Sequence, residues 1–257
     1  MTSYEIYVAY MTIVRKEINR FMRIWVQTLL PPSITMVLYF IIFGNLIGSR
    51  IGEMGGFDYM QFIVPGLIMM SVITNSYGNV VSSFYSTKYQ GSLEEMLVSP
   101  MPNWVILAGY VTGGVARGLA VGTMVTVLSL FFTQLDIHNF GIIVLVVLMT
   151  SVLFSLGGFV NAVFANSFDD IAIVPTFVLT PLTYLGGVFY SIDLLPDFWA
   201  GVSQLNPILY MVNAFRYGIL GVSDIAVGYA LLVIAGFIVV LFSYCMYLLN
   251  TGKGIRK

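Results

Sequence analysis

The chain has 257 residues, 58% of them hydrophobic and only 9% charged, with a formal net charge of −1 at pH 7. A water-soluble domain carries about 25% charged and about 45–50% apolar residues, so a globule of this composition could not cover its surface in water. With a mean hydropathy of +0.92, most of the chain is expected to be solvated by lipid.

The near-neutral charge gives no electrostatic footprint for nucleic acid. One cysteine, Cys245, and one histidine, His138, exclude a disulfide framework, a zinc cluster and the usual nucleophile–histidine constellations. No lysine stands in a Walker A pattern, and there is neither a His-Glu-x-x-His pair nor a Gly-x-Ser-x-Gly elbow. The chain therefore reads as no enzyme, with no cofactor or metal of its own.

At 100° per residue, Tyr7, Met11, Val14, Ile18, Phe21 and Trp25 fall within one arc of a helix, and Arg15, Lys16, Glu17, Asn19, Arg20 and Arg23 fill the rest of the wheel. Residues 1–25 thus predict an amphipathic helix lying in the membrane surface, its bases towards headgroups or a protein partner; a plain basic anchor that sets orientation is the alternative. The first long apolar run begins after Arg23, too late for a cleavable leader, so the first span is expected to be retained.

A helical span needs about 20 apolar residues. Six are predicted, over 26–47, 59–85, 104–132, 140–164, 172–190 and 227–249. Pro31 and Pro32 stand near the start of the first, where a missing N–H costs little. With the N-terminus inside, the inner segments hold Arg15, Lys16, Arg20, Arg23, Lys88, Lys253, Arg256 and Lys257, and the outer ones Arg50 and Arg216. That is a positive-inside bias, with both termini cytoplasmic. No loop has room for a soluble domain, so residues 1–257 read as one all-α polytopic membrane domain.

The inner loop 87–102 contains Ser92 and Glu95 in capping-box spacing, and Pro100 and Pro102 follow. A short cytoplasmic helix over 92–98 is predicted. It either docks into another protein or merely closes the bundle. The next inner loop carries Asp169 and Asp170, either an ion site or an acidic helix N-terminus.

Arg117 stands thirteen residues into the third span, roughly 20 Å deep, where arginine costs about 2.5–3.5 kcal/mol. It contacts an anionic group on cargo or a polar partner helix, or else bonds structurally to carbonyls. Gly114, Gly118 and Gly122 make a small-xxx-small face for a close helix. Ser71, Asn75, Gly78, Asn79 and Ser82 share one face of the second span, and Thr176, Thr180, Thr183 and Gly187 one face of the fifth. Such stripes pack helices or line a polar path. Acidic residues inside the spans are nearly absent, which argues against an ion-coupled secondary transporter.

Residues 191–226 break at Leu195-Pro196 and Asn206-Pro207. Two helices result, near 196–205 and 207–220, each too short to cross, which predicts a re-entrant hairpin on the outer side between spans five and six. Eight aromatics between Tyr184 and Tyr217 either stack on sugar rings or form an interfacial belt.

Four runs in order carry a family resemblance. They are Phe62-Ile-Val-Pro-Gly-Leu-Ile-Met-Met-Ser71, Ser92-Leu-Glu-Glu-Met-Leu-Val-Ser-Pro100, Thr183-Tyr-Leu-Gly-Gly-Val-Phe-Tyr-Ser191 and Leu205-Asn-Pro-Ile-Leu-Tyr-Met-Val-Asn-Ala-Phe-Arg-Tyr-Gly218. Over essentially its whole length the chain resembles the permease subunit of type-2 ABC exporters. The resemblance implies an inner-membrane permease that pairs with a second copy of itself and with two separate ATPase subunits, which hold ATP and Mg. It places Leu93, Glu94, Glu95 and Met96 on a coupling helix, and Phe168, Asp169 and Asp170 on a second ATPase contact. ATP then shifts the permease pair between two openings, with Asn75, Asn79, Arg117, Thr180, Tyr184 and Phe189 as candidates for the path. The cargo expected is a lipid, lipid-linked glycan or polysaccharide, with a drug as the alternative. An ATP-independent transporter or channel, or a structural scaffold, is the reading of another class.

Overall fold

A computed structural model describes residues 1–255; Arg256 and Lys257, both counted in the charge bias, lie outside the described residues. The chain is all-α apart from a small hairpin, Glu53–Met54 paired with Phe57–Asp58. In chain order the helices are α1 (Ser3–Arg23), α2 (Trp25–Ile51), α3 (Tyr59–Tyr89), α4 (Ser92–Val98), α5 (Asn103–Ser129), α6 (Phe140–Phe164), α7 (Asp170–Tyr184), α8 (Asp197–Gln204), α9 (Pro207–Leu220) and α10 (Val227–Thr251). Five of them, α2, α3, α5, α6 and α10, are long and apolar enough to cross a membrane.

The fifth expected span is shorter than its sequence suggested. α7 ends at Tyr184 instead of residue 190, and consists of three stretches of five residues, the middle one, Pro175–Leu179, in π geometry. At 1.5 Å per residue it is about 22 Å long, less than the roughly 30 Å of hydrocarbon. Pro181 lies in its last stretch, and Gly187, at φ +70°, turns the chain back.

The first span differs too. A single residue, Ile24 (φ −109°, ψ 34°), separates α1 from α2, so α2 begins at Trp25. Pro31 and Pro32 consequently lie inside a helix, where each removes an N–H from the ladder. Residues 40–47 take up π geometry.

α3 is the central element. It packs against α5, α6 and α9, and its side chains from Phe62 to Phe84 supply much of the core. The glycine face of α5 works as its spacing predicts. A Cβ at Gly114 would overlap Ser155 and Val80, one at Gly118 would overlap Ser76 and Ser151, and one at Gly122 would press on Val72. Removing those carbons lets α3 and α6 approach α5 together.

α8 and α9 occupy the two predicted stretches, and α9 is covered by α3, α6 and α10. Asn206 caps α9 by accepting from the Ile208 amide at 3.0 Å, with Pro207 in its first turn. Asn213 and Asp224 close the loop beyond: the Asp224 amide donates to Asn213 Oδ1 at 3.0 Å, and the Ile192 amide to Asp224 Oδ2 at 3.1 Å.

Candidate functional site

Two groups of residues matter: a surface at one end of the bundle and a polar seam that runs inward from it. The surface is built on α4. Gly91, left-handed at φ +79°, precedes it as N-cap, and no side chain caps the helix. Ser92 and Glu95 therefore do not form the expected capping box, because Gly91 holds the position one residue ahead of Ser92. The only complete box described is at α1, where Thr2 accepts from the Glu5 amide at 3.3 Å and donates its own amide to Glu5 Oε2 at 2.8 Å. Its Thr-x-x-Glu pattern was open to reading in the sequence.

Leu93 is buried in the core and anchors α4 to the bundle, whereas Glu94 and Glu95 are exposed, Met96 is half-buried and Val98 is 87% exposed. The helix thus turns one apolar residue inward and its acids outward. Lys16, Gln90, Glu95, Met96 and Met101 line a groove of about 440 Å³ between α1, the end of α3 and α4.

The second loop is held beside it. Lys88, near the end of α3, donates to Val163 O and, at 3.0 Å, to Ala165 O, carbonyls at the C-terminal end of α6. Phe168 is half-exposed and stacks edge-on upon Tyr85 (4.9 Å) and Tyr89 (5.4 Å). Asp170 Oδ2 accepts the Asn166 and Ser167 amides at 2.9 and 3.2 Å, while the Asp170 amide returns a bond to Ser167 Oγ at 3.1 Å. The Asn166 amide, then Ser167, hold its carboxyl below the usual carboxylate range. Asp170 thereby folds the 166–170 loop onto the start of α7 and stands as an acid in the first turn, while Asp169 holds the N-cap position and no side chain caps the helix. Asp169 is exposed next to it. All seven predicted docking residues thus stand on segments at this end, six on the surface and Leu93 beneath it.

α1 departs from its helical wheel. Tyr7 and Trp25, on the expected apolar arc, are more than half exposed, and the buried residues are Ile13, Val14, Glu17 and Phe21. The cause is α5: Ile13 fills the space left at Gly109, and the Glu17 side chain the space left at Gly113. Polar residues of α1 consequently face protein. Glu17, fully buried, accepts from Ser83 Oγ at 2.6 Å and pairs with Arg20 at 3.4 Å and Lys16 at 3.6 Å. Lys16 also donates to Tyr110 and Thr87. Arg20 donates to Asn79 Oδ1 at 2.8 Å and Asn79 O at 2.9 Å. Arg15 and Arg23 remain outward.

One turn along α3 from Asn79, Asn75 Oδ1 accepts from Arg117 Nη2 at 3.1 Å and Nε at 3.3 Å. Three predicted path residues, Asn75, Asn79 and Arg117, are therefore brought together, and the partner of Arg117 is a side chain rather than a backbone carbonyl. Tyr184 and Phe189 form a second group, stacked at 5.7 Å and joined by Tyr39 and Phe43. Thr180 is exposed and bonds to Pro175 O. Among the described residues no hydrogen bond or ring contact joins the two groups.

Sequence reasoning missed Arg216. Counted among outer-loop charges, it is instead fully buried on α9. Its Nη2 donates to Gly187 O at 2.6 Å and its Nε to Phe62 O at 3.3 Å, with the guanidinium 3.9 Å over the Phe62 ring. It ties α9 to α3 and to the turn after α7. The signal was available: Arg216 lies ten residues into a Pro-started apolar helix.

The family model for the ABC-2 type transporter matches residues 8–220. The chain belongs to that family. It is 62% identical over 251 residues, 98% of either chain, to the inner membrane transport permease YadH of Escherichia coli K12. It is 23% identical over 72% of either chain to Nodulation protein J of Rhizobium leguminosarum bv. viciae. With Nodulation protein J of Neorhizobium galegae the identity is 21%, over 72% of this chain and 71% of the relative. This ABC-2 member is thus a multi-pass protein of the bacterial inner membrane, a transport permease and not an enzyme.

Proposed function

We propose that the chain is the permease subunit of an ATP-driven exporter, that two copies pair, and that two separate ATPase subunits, carrying ATP and Mg, dock on each pair from the cytoplasm. In this reading α7 and the turn behind it make a sixth crossing, α8 and α9 re-enter from the outer side, and both termini are cytoplasmic. The observation that carries it is α4: a short helix outside the spans, anchored by Leu93, with Glu94 and Glu95 open to a partner and the Phe168 loop alongside. Displacement of α4 moves the end of α3, and α3 holds both Asn75 and Asn79. The cargo proposed is an amphipathic lipid, lipid-linked glycan or polysaccharide. It passes between the two copies beside Arg117, with Thr180, Tyr184 and Phe189 nearer the opposite face.

The test is co-purification of the chain with a co-expressed ABC ATPase subunit from the same genome, followed by ATP-driven transport in vesicles. Glu94→Lys with Glu95→Lys is expected to abolish co-purification while the permease stays folded. Unchanged association, or transport by the isolated chain without ATPase, overturns the proposal. In deletion cells, unchanged envelope lipids and glycans together with raised drug sensitivity would assign a drug as cargo instead.

A further inference from the structure

The seam holds more positive charge than it neutralises. Arg20 and Arg117 bond to Asn79 and Asn75, which stand four residues apart on one face of α3. The single carboxylate near them is Glu17, which pairs with Lys16 and Arg20; among the described residues no carboxylate pairs with Arg117. Donors are also left over. Arg20 Nε and Asn79 Nδ2 are buried without an acceptor, and Asn79 is wholly buried. Uncompensated donors and cations are costly away from water unless an anion meets them. The place is not filled, either: Arg117 is only partly buried, Thr74 beside Asn75 is exposed, and a Cβ placed at Gly78 would meet nothing within 4 Å.

We propose that Arg20 and Arg117 jointly seat one phosphate-type anion at this opening. Two guanidiniums from different helices suit a tetrahedral group with several acceptor oxygens better than a carboxylate, whose two oxygens one arginine satisfies. The group is either the headgroup of an amphiphile or a free phosphate. As an account of cargo recognition the inference rests on the exporter reading; the binding itself does not. It makes the preferred cargo anionic and gives α1 a direct hold on it through Arg20.

The test uses the purified full-length chain in detergent micelles, with no ATPase, and native mass spectrometry as readout. It is titrated with phosphatidic acid, with diacylglycerol of the same acyl chains, and with inorganic phosphate. Phosphatidic acid is expected to bind at least about tenfold tighter than diacylglycerol, and Arg117→Gln to remove about tenfold of that preference, the scale of one charge-assisted bond. Arg117→Lys should keep part of it. Asn75→Asp, which hands Arg117 its missing carboxylate in the same shape, should abolish it; this variant keeps the test open should Arg117→Gln fail to fold. Competition by inorganic phosphate at similar concentration would assign a free anion, and its absence a lipid headgroup. Equal binding of the two lipids without phosphate binding, or a preference that survives in folded Asn75→Asp and Arg117→Gln, overturns the proposal. Failure of ATPase pairing would leave these affinities untouched, so the two readings fail separately.

Discussion

Glu17→Gln is the sharpest probe of how α1 is held. The carboxylate is fully buried, takes a 2.6 Å bond from Ser83 and sits 3.4 Å from Arg20 Nη2. Glutamine keeps the shape and an acceptor for Ser83 but removes the charge opposite Arg20. Breaking a fully buried ion pair from one side costs about 3–5 kcal/mol. Arg20, however, keeps 29% of its side chain exposed and two acceptors on Asn79, so the expected cost is about 2 kcal/mol after solvent screening. For a domain of this size that lowers the melting temperature by about 4–8 °C. Thermal unfolding in detergent, followed by size exclusion, is the assay. Arg20→Gln and the double variant complete a cycle, with an expected coupling of about 1 kcal/mol. If Glu17→Gln melts with the parent, or if the two substitutions simply add, the pair does not fix α1 and the reasoning fails.

Other outcomes follow from close contacts and hydrogen bonds. A Cβ at Gly66 would lie 2.7 Å from Val188 O and 2.8 Å from Val188 Cα; because backbone must give way, Gly66→Ala is expected to cost about 1–3 kcal/mol, while Gly78→Ala, with open space around it, should leave the melting temperature equal or higher. Arg216→Lys is expected to destabilise nearly as much as Arg216→Gln, because one ammonium cannot reproduce the fork to Phe62 O and Gly187 O while covering the Phe62 ring; full recovery by lysine in the same melt would contradict this. Asp170 has a lowered folded pKa, so its contribution is present above the usual carboxylate value of about 3.9 and is lost as pH falls through the lower folded value. Amide exchange at Asn166 and Ser167, corrected for intrinsic rates, should therefore stay slow at neutral pH and accelerate only in strong acid, whereas Asp170→Asn should exchange fast throughout.

Elements set by long periodic runs were legible from sequence. α3, α5, α6 and α10 lie within a few residues of their expected limits, and Pro196 and Pro207 announced α8 and α9. What failed depended on neighbours distant in sequence. A wheel of α1 taken alone turns Glu17 to the polar side; only the gaps at Gly109 and Gly113 on α5 draw it inside. Arg216 reads as a loop charge until α9 folds back on Phe62 and Gly187. Ser92 looked like a cap because the spacing to Glu95 fits, yet the left-handed Gly91 takes the N-cap position and puts Ser92 inside the helix. Within the site, Arg117 was recognisable from the cost of its position, but its partner Asn75 depends on the rotation of two helices, which spacing within one helix does not fix.

The junction at Ile24 has a mechanical meaning. With one residue between the two helices there is little slack, so α1 and the start of α2 meet at an elbow at that peptide. The α2 arm is thinly packed along its length, and the α1 arm is riveted to α3 and α5 by Lys16, Glu17 and Arg20. A shift of α3 or α5 would thus be handed to the sparsely covered first span at that elbow, through the one residue that joins it to α1.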